Sequence, residues 1–423
     1  MPRPTVLGAS AVGLLATLLV GSAIWTSRAP RVVETPVVTA TVARATVGAL
    51  REEAVRLYAN GEFAPACDRF HRAADGDPTS TALRQDVARC FEGWAWQTLR
   101  DGRPHEAALL FRFGLRVIPD DPGLLRGLGV ASIHEGRAGE AVEPLERVAG
   151  RPDADAEVRL LLARLYHQRD EPELAVRHLR AMLQGAPEHP AARELLDRVE
   201  RDRHVEGDFD RLTTAHFLVK GRWGQDRAAQ RTLLAALDAA RERVGAGLGY
   251  RPAERLTVVL YDADEFRAVT GGHGWVGGLF DGKIRLPFPG ATPISTLERL
   301  VTHEYAHAAV HELSRGRAPR WLHEGLAQLL EGTSADPALR VPGHLTLMGL
   351  EALVSDVDPV RARAGYQIAL WVTEDLTRRG GLPGLRALLG RLGAGDAVAA
   401  AVTRVYGLRA AELESQWRNL LGS

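Results

Sequence analysis

The chain has 423 residues, and its 53 Lys plus Arg balance 53 Asp plus Glu, so its formal net charge is zero. This length exceeds a single ordinary core and predicts two or three domains. Only Lys220 and Lys283 are lysines, so nearly all the positive charge is arginine. Because the sequence has no block of basic residues, nucleic acid is excluded as an expected partner.

Residues 1–28 begin with a basic position, Arg3, and continue as an uncharged apolar run from 6 to 24. The run is about long enough to span a bilayer. It predicts either a cleaved signal peptide or an uncleaved membrane anchor, with a buried core helix as the other reading. With either of the first two, the rest of the chain is exported and is periplasmic, extracellular or membrane-anchored. Residues 29–45, rich in Pro, Thr and Val, are expected to form a linker.

Residues 46–204 repeat with a period of 34. The pair Gly102-Arg103 recurs at 136–137, and Ala107, Ala141 and Ala175 follow one another at the same interval. A helix-turn-helix period of this length, with small residues where helices touch, resembles the tetratricopeptide (TPR) repeat. About four repeats are expected, stacked as helix pairs into an α-helical solenoid whose groove binds a protein partner.

The two cysteines, Cys67 and Cys90, fall in the first repeat on successive predicted helices. In an exported protein they can form a disulfide. Two buried thiols that pack as small hydrophobic groups are the alternative. The sequence leaves both readings open.

After residue 204 the helical period gives way to alternating patterns. These predict a mixed region with strands at 212–220 and 255–261, helices at 225–245 and 262–269, and a hairpin at 276–286. The hairpin is indicated by Asp281-Gly282 between two apolar runs. Beyond Gly332 the chain is expected to be mostly helical, with helices near 382–392, 396–405 and 410–421.

Residues 295–313 contain an H-E-x-x-H motif on an expected helix. Ser295 and Glu298 fit a capping box at its start. His303 and His307 are four apart, so both imidazoles leave the same face one turn apart and can bind one Zn²⁺. Glu304 lies between them and can accept the proton of a water molecule.

A second stretch, 320–328, reads RWLHEGLAQ and follows Pro319. It predicts a short helix that offers Glu324, 17 positions after His307, as a third metal ligand. Two His and one Glu leave a tetrahedral zinc with one open position, which hydrolysis requires.

The H-E-x-x-H motif followed by W-L-x-E-G-L-A resembles the gluzincin metallopeptidases, in particular the M1 aminopeptidases and the peptidase-MA-like domains. The resemblance implies that His303, His307 and Glu324 hold Zn²⁺ and that Glu304 is the general base. It also implies an α+β zincin-like metallopeptidase domain over residues 205–423. Many members carry an acidic residue one turn after the third ligand, and Gln328 takes that place here. The group that orients a histidine ligand must then come from elsewhere.

Three further expectations follow from the resemblance. The T-x-H-F run at 214–217 resembles the first strand of peptidase-MA-like domains. The 276–286 hairpin would form the cleft edge and bind the substrate backbone by β-addition. Tyr366 would face the zinc and donate to the oxyanion, with a core tyrosine as the alternative. The M1 aminopeptidases carry G-x-M-E-N before the motif, and its absence here favours an endopeptidase.

The sequence therefore predicts a TPR-like solenoid followed by a zinc peptidase that cleaves protein or peptide substrates in the cell envelope. A scaffold that binds proteins through the repeats, with a structural or inactive metallopeptidase-like domain, is the alternative. A third reading is hydrolysis of another bond, because the ligand set does not specify an amide. The substrate, the cleavage preference and the repeat partner are not predictable from these residues.

Overall fold

The computed structural model describes residues 37–421, except 153, 224–225, 271–277, 289–292 and 337–344. The predicted signal peptide or anchor, residues 1–28, lies outside these ranges. Within the described ranges, no helix has the length and apolar character needed to cross a membrane.

From residue 37 to 206, the described residues form a stack of nine α-helices. They are α1 (Val37–Ala59), α2 (Phe63–Gly76), α3 (Thr81–Arg100), α4 (Pro104–Val117), α5 (Pro122–His134), α6 (Ala138–Ala149), α7 (Ala156–Gln168), α8 (Pro172–Gly185) and α9 (Pro190–Glu206). The first eight helices pack as four successive pairs, and α9 packs on the last pair. The small residues at the 34-residue interval are buried between helices. These are TPR-like helical repeats, as the period predicts.

Two features of the first repeat differ from, or go beyond, the sequence expectations. Helix α1 begins at Val37, so residues 37–45 of the predicted linker are helical, because this segment contains neither Pro nor Gly to interrupt a helix. Cys67 on α2 and Cys90 on α3 form a disulfide, with their Cα atoms 5.5 Å apart. The structure thus has the disulfide and not the two free thiols.

The turn inside each repeat pair uses a left-handed residue at a fixed position. Gly102 and Gly136 occupy it in successive repeats with φ of 82° and 77°. The next repeat has Asp170 there, 34 positions on, with φ of 61°. An aspartate tolerates this conformation less well than glycine, so its presence calls for a compensating contact.

In the second part of the chain, the described residues form a five-stranded mixed sheet in the order β1-β2-β3-β5-β4. The strands are β1 (Asp210–Thr213), β2 (Phe217–Gly221), β3 (Leu256–Tyr261), β4 (Leu279–Phe280) and β5 (Ile284–Pro287). Strands β2, β3 and β5 are parallel to one another, and β1 and β4 are antiparallel edge strands. The predicted 276–286 hairpin corresponds to β4, its turn and β5, and its first two positions, 276–277, lie outside the described residues.

The single strand predicted over 212–220 is wrong, because the chain turns back between Thr213 and Phe217. The hydroxyl of Thr214 accepts hydrogen bonds from the backbone N–H groups of His216 and Phe217. This side-chain turn offers the backbone an alternative to a continuous ladder, so the segment folds as the β1–β2 hairpin.

Among the described residues, eight helical elements accompany the sheet, and the longest of them, α15, has a kink at Gly381. They are α10 (Arg227–Leu248), α11 (Ala263–Thr270), α12 (Ile294–Ser314), α13 (Arg320–Glu331), α14 (Leu347–Val354), α15 (Pro359–Gly393), α16 (Val398–Tyr406) and α17 (Ala410–Leu421). The helices expected near 225–245 and beyond Gly332 are present. The capping box is wrong: α12 begins at Ile294 with Pro293 as its N-cap residue, so Ser295 lies inside the first turn and cannot cap it.

Both faces of the sheet are buried, each by different partners. On one face, alternate side chains such as Val258 and Leu260 join the core formed with α10, α12 and the following helices. On the other face, Val259 and Tyr261 pack with Phe266 of α11 and with residues around α9. Helix α12 thus lies on one face, and the end of the repeat stack covers the other.

Candidate metal centre

Helices α12 and α13 bring the three predicted metal ligands together. One ligand atom from each of His303, His307 and Glu324 lies within 4.8 Å of the others. Glu324 Oε2 is 3.6 Å from His303 Nε2 and 3.9 Å from His307 Nε2. Zinc bonds of about 2.0–2.1 Å in a tetrahedron separate two ligand atoms by about 3.4 Å, so this spacing needs only small shifts to hold the ion.

The start of α13 is fixed by a side chain from another helix. Pro319 is the N-cap residue and offers no capping side chain. The carboxylate of Glu351, on α14, instead accepts hydrogen bonds from the N–H groups of Arg320 at 3.0 Å and Trp321 at 3.1 Å. A carboxylate at a helix N-terminus accepts hydrogen bonds from the unpaired backbone N–H groups of the first turn and interacts favourably with the helix dipole. This contact anchors the turn that carries Glu324.

The side chain that contacts the far side of the His303 ring is that of Glu331, which the sequence analysis missed. Its Oε2 lies 3.1 Å from His303 Nδ1, the ring nitrogen opposite the one that faces Glu324. Glu331 is seven positions after Glu324, so two helical turns bring both carboxylates to the same face of α13. That spacing was readable in the sequence. Gln328, in contrast, donates to the carbonyl oxygens of Glu324 and Tyr366.

The two histidines have opposite pKa shifts. Burial disfavours the charged form of His303, but the carboxylates of Glu324 and Glu331 outweigh it and raise its pKa to about 10. Burial lowers the pKa of His307 to about 3. For Glu324, burial is opposed by the two histidines, and the pKa is lowered to about 2. The carboxylates that favour a positive charge on His303 are equally placed to favour a metal cation beside it.

Glu304 is buried, and its Oε2 has no hydrogen-bond partner among the described atoms. Burial, opposed by His303, raises its pKa to about 7. Gly278, just before β4, lies against this carboxylate: a Cβ there would be 2.5 Å from Glu304 Oε1. The edge of the sheet therefore approaches the glutamate as closely as a residue without a side chain permits.

These residues line one cavity of about 840 Å³. Its walls include Gly278, Leu279 and Phe280 on the sheet edge, as expected of the hairpin, and Tyr366 on α15. The Tyr366 hydroxyl accepts a hydrogen bond from Arg320 Nη2 at 3.3 Å. Burial, together with the charge of Glu324, raises the pKa of Tyr366, so the phenol keeps its proton at neutral pH. Tyr366 thus lines the cavity, and its partly buried ring also packs against the core.

A second polar cluster that the sequence analysis missed lies on the opposite face of the sheet. It contains three buried cations and three buried carboxylates: Lys220, Lys283, Arg285, Asp170, Asp202 and Glu206. Asp170 Oδ1 lies 2.8 Å from Lys220 Nζ and 2.9 Å from Lys283 Nζ. Both lysines of the chain therefore converge on the aspartate at the left-handed turn position.

The remaining contacts of this cluster tie α9 to the sheet. Arg285 Nη2 lies 2.6 Å from Asp202 Oδ2, and its Nη1 lies 3.1 Å from Glu206 Oε1. Glu206 also accepts from Lys220 at 2.6 Å and from the Tyr261 hydroxyl at 2.5 Å. Because Arg285 lies on β5, next to the edge strand, this cluster connects the last repeat to the wall of the cavity.

The residues at the three-ligand cluster fit a zinc ion on three grounds. The donors are two imidazoles and one carboxylate, a set that binds zinc and leaves a position open. Glu331 supplies the contact that fixes a histidine ring. The unpartnered oxygen of Glu304 belongs to a side chain in the same cavity.

No protein-family model matches the chain, and no curated protein sequence matches it. Among solved structures, the TPR domain of P58(IPK) is similar, with 13% sequence identity over 79% of this chain and 99% of that one. The TM-score of 0.22 is too low to support an inference about the fold or the function.

Proposed function

We propose that the chain is a zinc-dependent peptidase of the cell envelope, most simply an endopeptidase, that hydrolyses peptide bonds in protein substrates. The observation that carries the proposal is the convergence of His303, His307 and Glu324 beside Glu304 in one cavity. A purely structural metal site has no need of that glutamate. A Zn²⁺ held by these ligands supplies a Lewis acid that polarises a carbonyl group and lowers the pKa of water.

Glu304 is suited to move the proton. A pKa near 7 lets the carboxylate accept a proton from the attacking water and return it to the leaving amine near neutral pH. Its unpartnered oxygen is free to make the necessary hydrogen bond. General base catalysis of this kind contributes roughly 10²–10⁴-fold to a rate.

The cavity walls are suited to hold an extended peptide. Strand β4 is a sheet edge, so its outer backbone groups can pair with a substrate strand by β-addition. On the other wall, the Tyr366 hydroxyl and the Arg320 guanidinium lie within hydrogen-bond distance of each other. Both are donors that can stabilise negative charge on a carbonyl oxygen during the reaction.

The compartment follows from two features of the chain. The apolar run at 6–24 predicts export and, if uncleaved, attachment to a membrane. The Cys67–Cys90 disulfide is a bond that persists in oxidising compartments and is rare in the cytosol. We therefore place the proposed activity in the cell envelope.

The test compares the full-length protein with Glu304→Gln and with Glu298→Gln, the same change at a partly exposed position earlier on α12. Metal analysis and cleavage of a proteome-derived peptide library are measured for each. We expect about one zinc per chain in all three proteins. Cleavage should fall roughly 10²–10⁴-fold in Glu304→Gln alone, because the amide keeps the shape but cannot accept the proton.

Two results would contradict the proposal. One is a purified protein with no zinc, or one whose zinc survives Glu324→Ala. The other is full function of Glu304→Gln in cells together with loss of function when residues 46–204 are deleted.

That second result would favour a binding scaffold, the alternative function, which rests on the repeats. On α4, Leu109 and Phe113 keep 42% and 43% of their surface exposed, and Phe113 stacks on Phe91. Exposed apolar side chains on a repeat stack are suited to bind a protein partner. The scaffold reading does not use Glu304.

A further inference from the structure

The catalytic cavity continues toward the repeats. A neighbouring cavity of about 340 Å³ lies between the β4–β5 turn and helices α7 and α9. Phe280 and His311 line both cavities, and their ring centroids are 5.7 Å apart. A ligand that extends along the sheet edge past this aromatic pair therefore reaches side chains of the last repeats.

Two arginines give the second cavity its chemical character. Arg164 on α7 is exposed and makes no hydrogen bond or ion pair with the part of the chain that the structure describes. Arg198 on α9 is partly buried, with Glu194 at 3.0 Å and Asp281 at a long 3.5 Å. The carboxylate of Asp281 already receives Arg285 Nε at 3.1 Å from each oxygen. Arg164 therefore brings to the cavity a positive charge that no described residue pairs with, and Arg198 beside it has only a long contact with the cavity's own carboxylate, Asp281.

The position of these arginines relative to Glu304 follows from the strand. Gly278 lies against Glu304, and Asp281, next to Arg198, is three residues further along. The two residues of β4, Leu279 and Phe280, lie between them, and Asp281 is in the turn, so the backbone covers at most about 10 Å from Gly278 to Asp281. A peptide paired with β4 thus places a residue about three positions from the bond at Glu304 within reach of the arginines.

We infer that Arg164 and Arg198 form a carboxylate-binding subsite of the cleft, so that substrates carry a carboxylate about three residues from the cleaved bond. Guanidinium groups bind carboxylates through paired, charge-assisted hydrogen bonds. Leu195 and Phe280 line the same cavity and can pack on the aliphatic part of the bound residue. The carboxylate can belong to an Asp or Glu side chain or to the end of the substrate chain. This inference rests on the proposed peptidase function.

The experiment uses synthetic peptide pools of degenerate sequence. In the first set, Glu is fixed three positions from the central bond, and the matched pool has Gln at that position. Separate pools place the fixed residue before and after the bond. A second pair has no fixed residue and ends, three positions after that bond, in a free carboxylate or an amide. Cleavage of each pool is measured for wild type, Arg164→Gln, Arg198→Gln and the double variant. The matched control is Arg89→Gln, an exposed arginine on α3 with no ion pair to the described residues.

For wild type we expect kcat/KM to be about tenfold higher for the pools with the carboxylate. The double variant should lose this preference, and Arg89→Gln should keep it. Comparing the Glu pools with the Gln pools tests a side-chain carboxylate, and comparing the free-carboxylate pool with the amide pool tests a terminal carboxylate. No preference in wild type, or a preference that survives in the double variant, would overturn the subsite and leave the peptidase proposal intact.

Binding separates this inference from the proposed function. Fluorescence anisotropy of labelled Glu and Gln pools is measured on Glu304→Gln protein, with and without the two arginine changes. Tighter binding of the carboxylate pools that disappears with the arginines supports the subsite even if wild type cleaves none of the pools. Equal binding of all pools overturns the subsite, whatever the cleavage result is.

Discussion

Replacing Asp170 by Asn should destabilise the protein strongly, because Asp170 is the shared partner of both lysines. Lys220 retains Glu206 at 2.6 Å after the change, whereas Lys283 has Glu206 only at 4.0 Å. The substitution therefore leaves one buried charge without a close partner, the ammonium group of Lys283, and not two. Removing one partner of a buried ion pair costs about 3–5 kcal/mol. Asn tolerates the left-handed backbone and matches the shape of Asp, so strain and packing add little.

The assay is chemical denaturation of the purified protein, followed by circular dichroism, with Asp197→Asn on the exposed side of α9 as the matched control. That control should stay within about 0.5 kcal/mol of wild type. Asp170→Gly is a second variant, which restores the residue that the preceding repeats have at this position. Glycine removes the cost of about 1 kcal/mol that a residue with a Cβ has in the left-handed conformation. It also removes the carboxylate that pairs with Lys283, as Asn does. Glycine should therefore remain clearly less stable than wild type.

The pH dependence gives the reasoning a second check. Burial raises the pKa of Asp170, but Lys283 and Lys220 outweigh it and hold the pKa below the ordinary value. With a lowered folded pKa, the unfolded state binds more protons, so this contribution is present above about pH 4 and is lost as the pH falls through the folded pKa. The gap between wild type and Asp170→Asn should narrow in acid. A loss below 1 kcal/mol at pH 7, or a gap that does not change with pH, would refute the argument.

Three other outcomes are expected. Glu331→Gln should weaken zinc binding about 10–100-fold in a chelator competition titration, because the orienting carboxylate is lost; unchanged affinity would remove its assigned role. Gly278→Ala should reduce peptide cleavage while zinc content stays at the wild-type level, because its Cβ would lie 2.5 Å from Glu304 Oε1; wild-type turnover would contradict the close approach. An amine-reactive label should leave Lys220 and Lys283 unmodified in the native protein and modify them after denaturation, since each is less than 5% exposed. Peptide mass spectrometry detects this, and rapid native labelling would contradict their burial.

The local features of the candidate metal centre could be predicted from the sequence. Two histidines four positions apart lie on the same face of a helix, whatever surrounds that helix. The 34-residue period likewise predicts the helix pairs. Each feature depends only on spacing within one helix or one repeat. Glu331 obeys the same rule, because it lies two helical turns after Glu324 on α13. The hairpin was readable from its Asp281-Gly282 turn for the same local reason.

The tertiary structure decided which charged side chains are buried. In the segment 283–286, Lys and Arg alternate with Ile and Leu, a pattern typical of a strand in a sheet that has one solvent-exposed face. Here α9 covers that face, and Arg285 is only 1% exposed. Asp170 belongs to a different part of the chain, 113 residues before Lys283, so no local period connects them. The same holds for Arg164 and Arg198, which reach the cleft only because the repeats dock on the sheet. Contacts between distant segments depend on how whole elements pack, and spacing within one element carries no information about them.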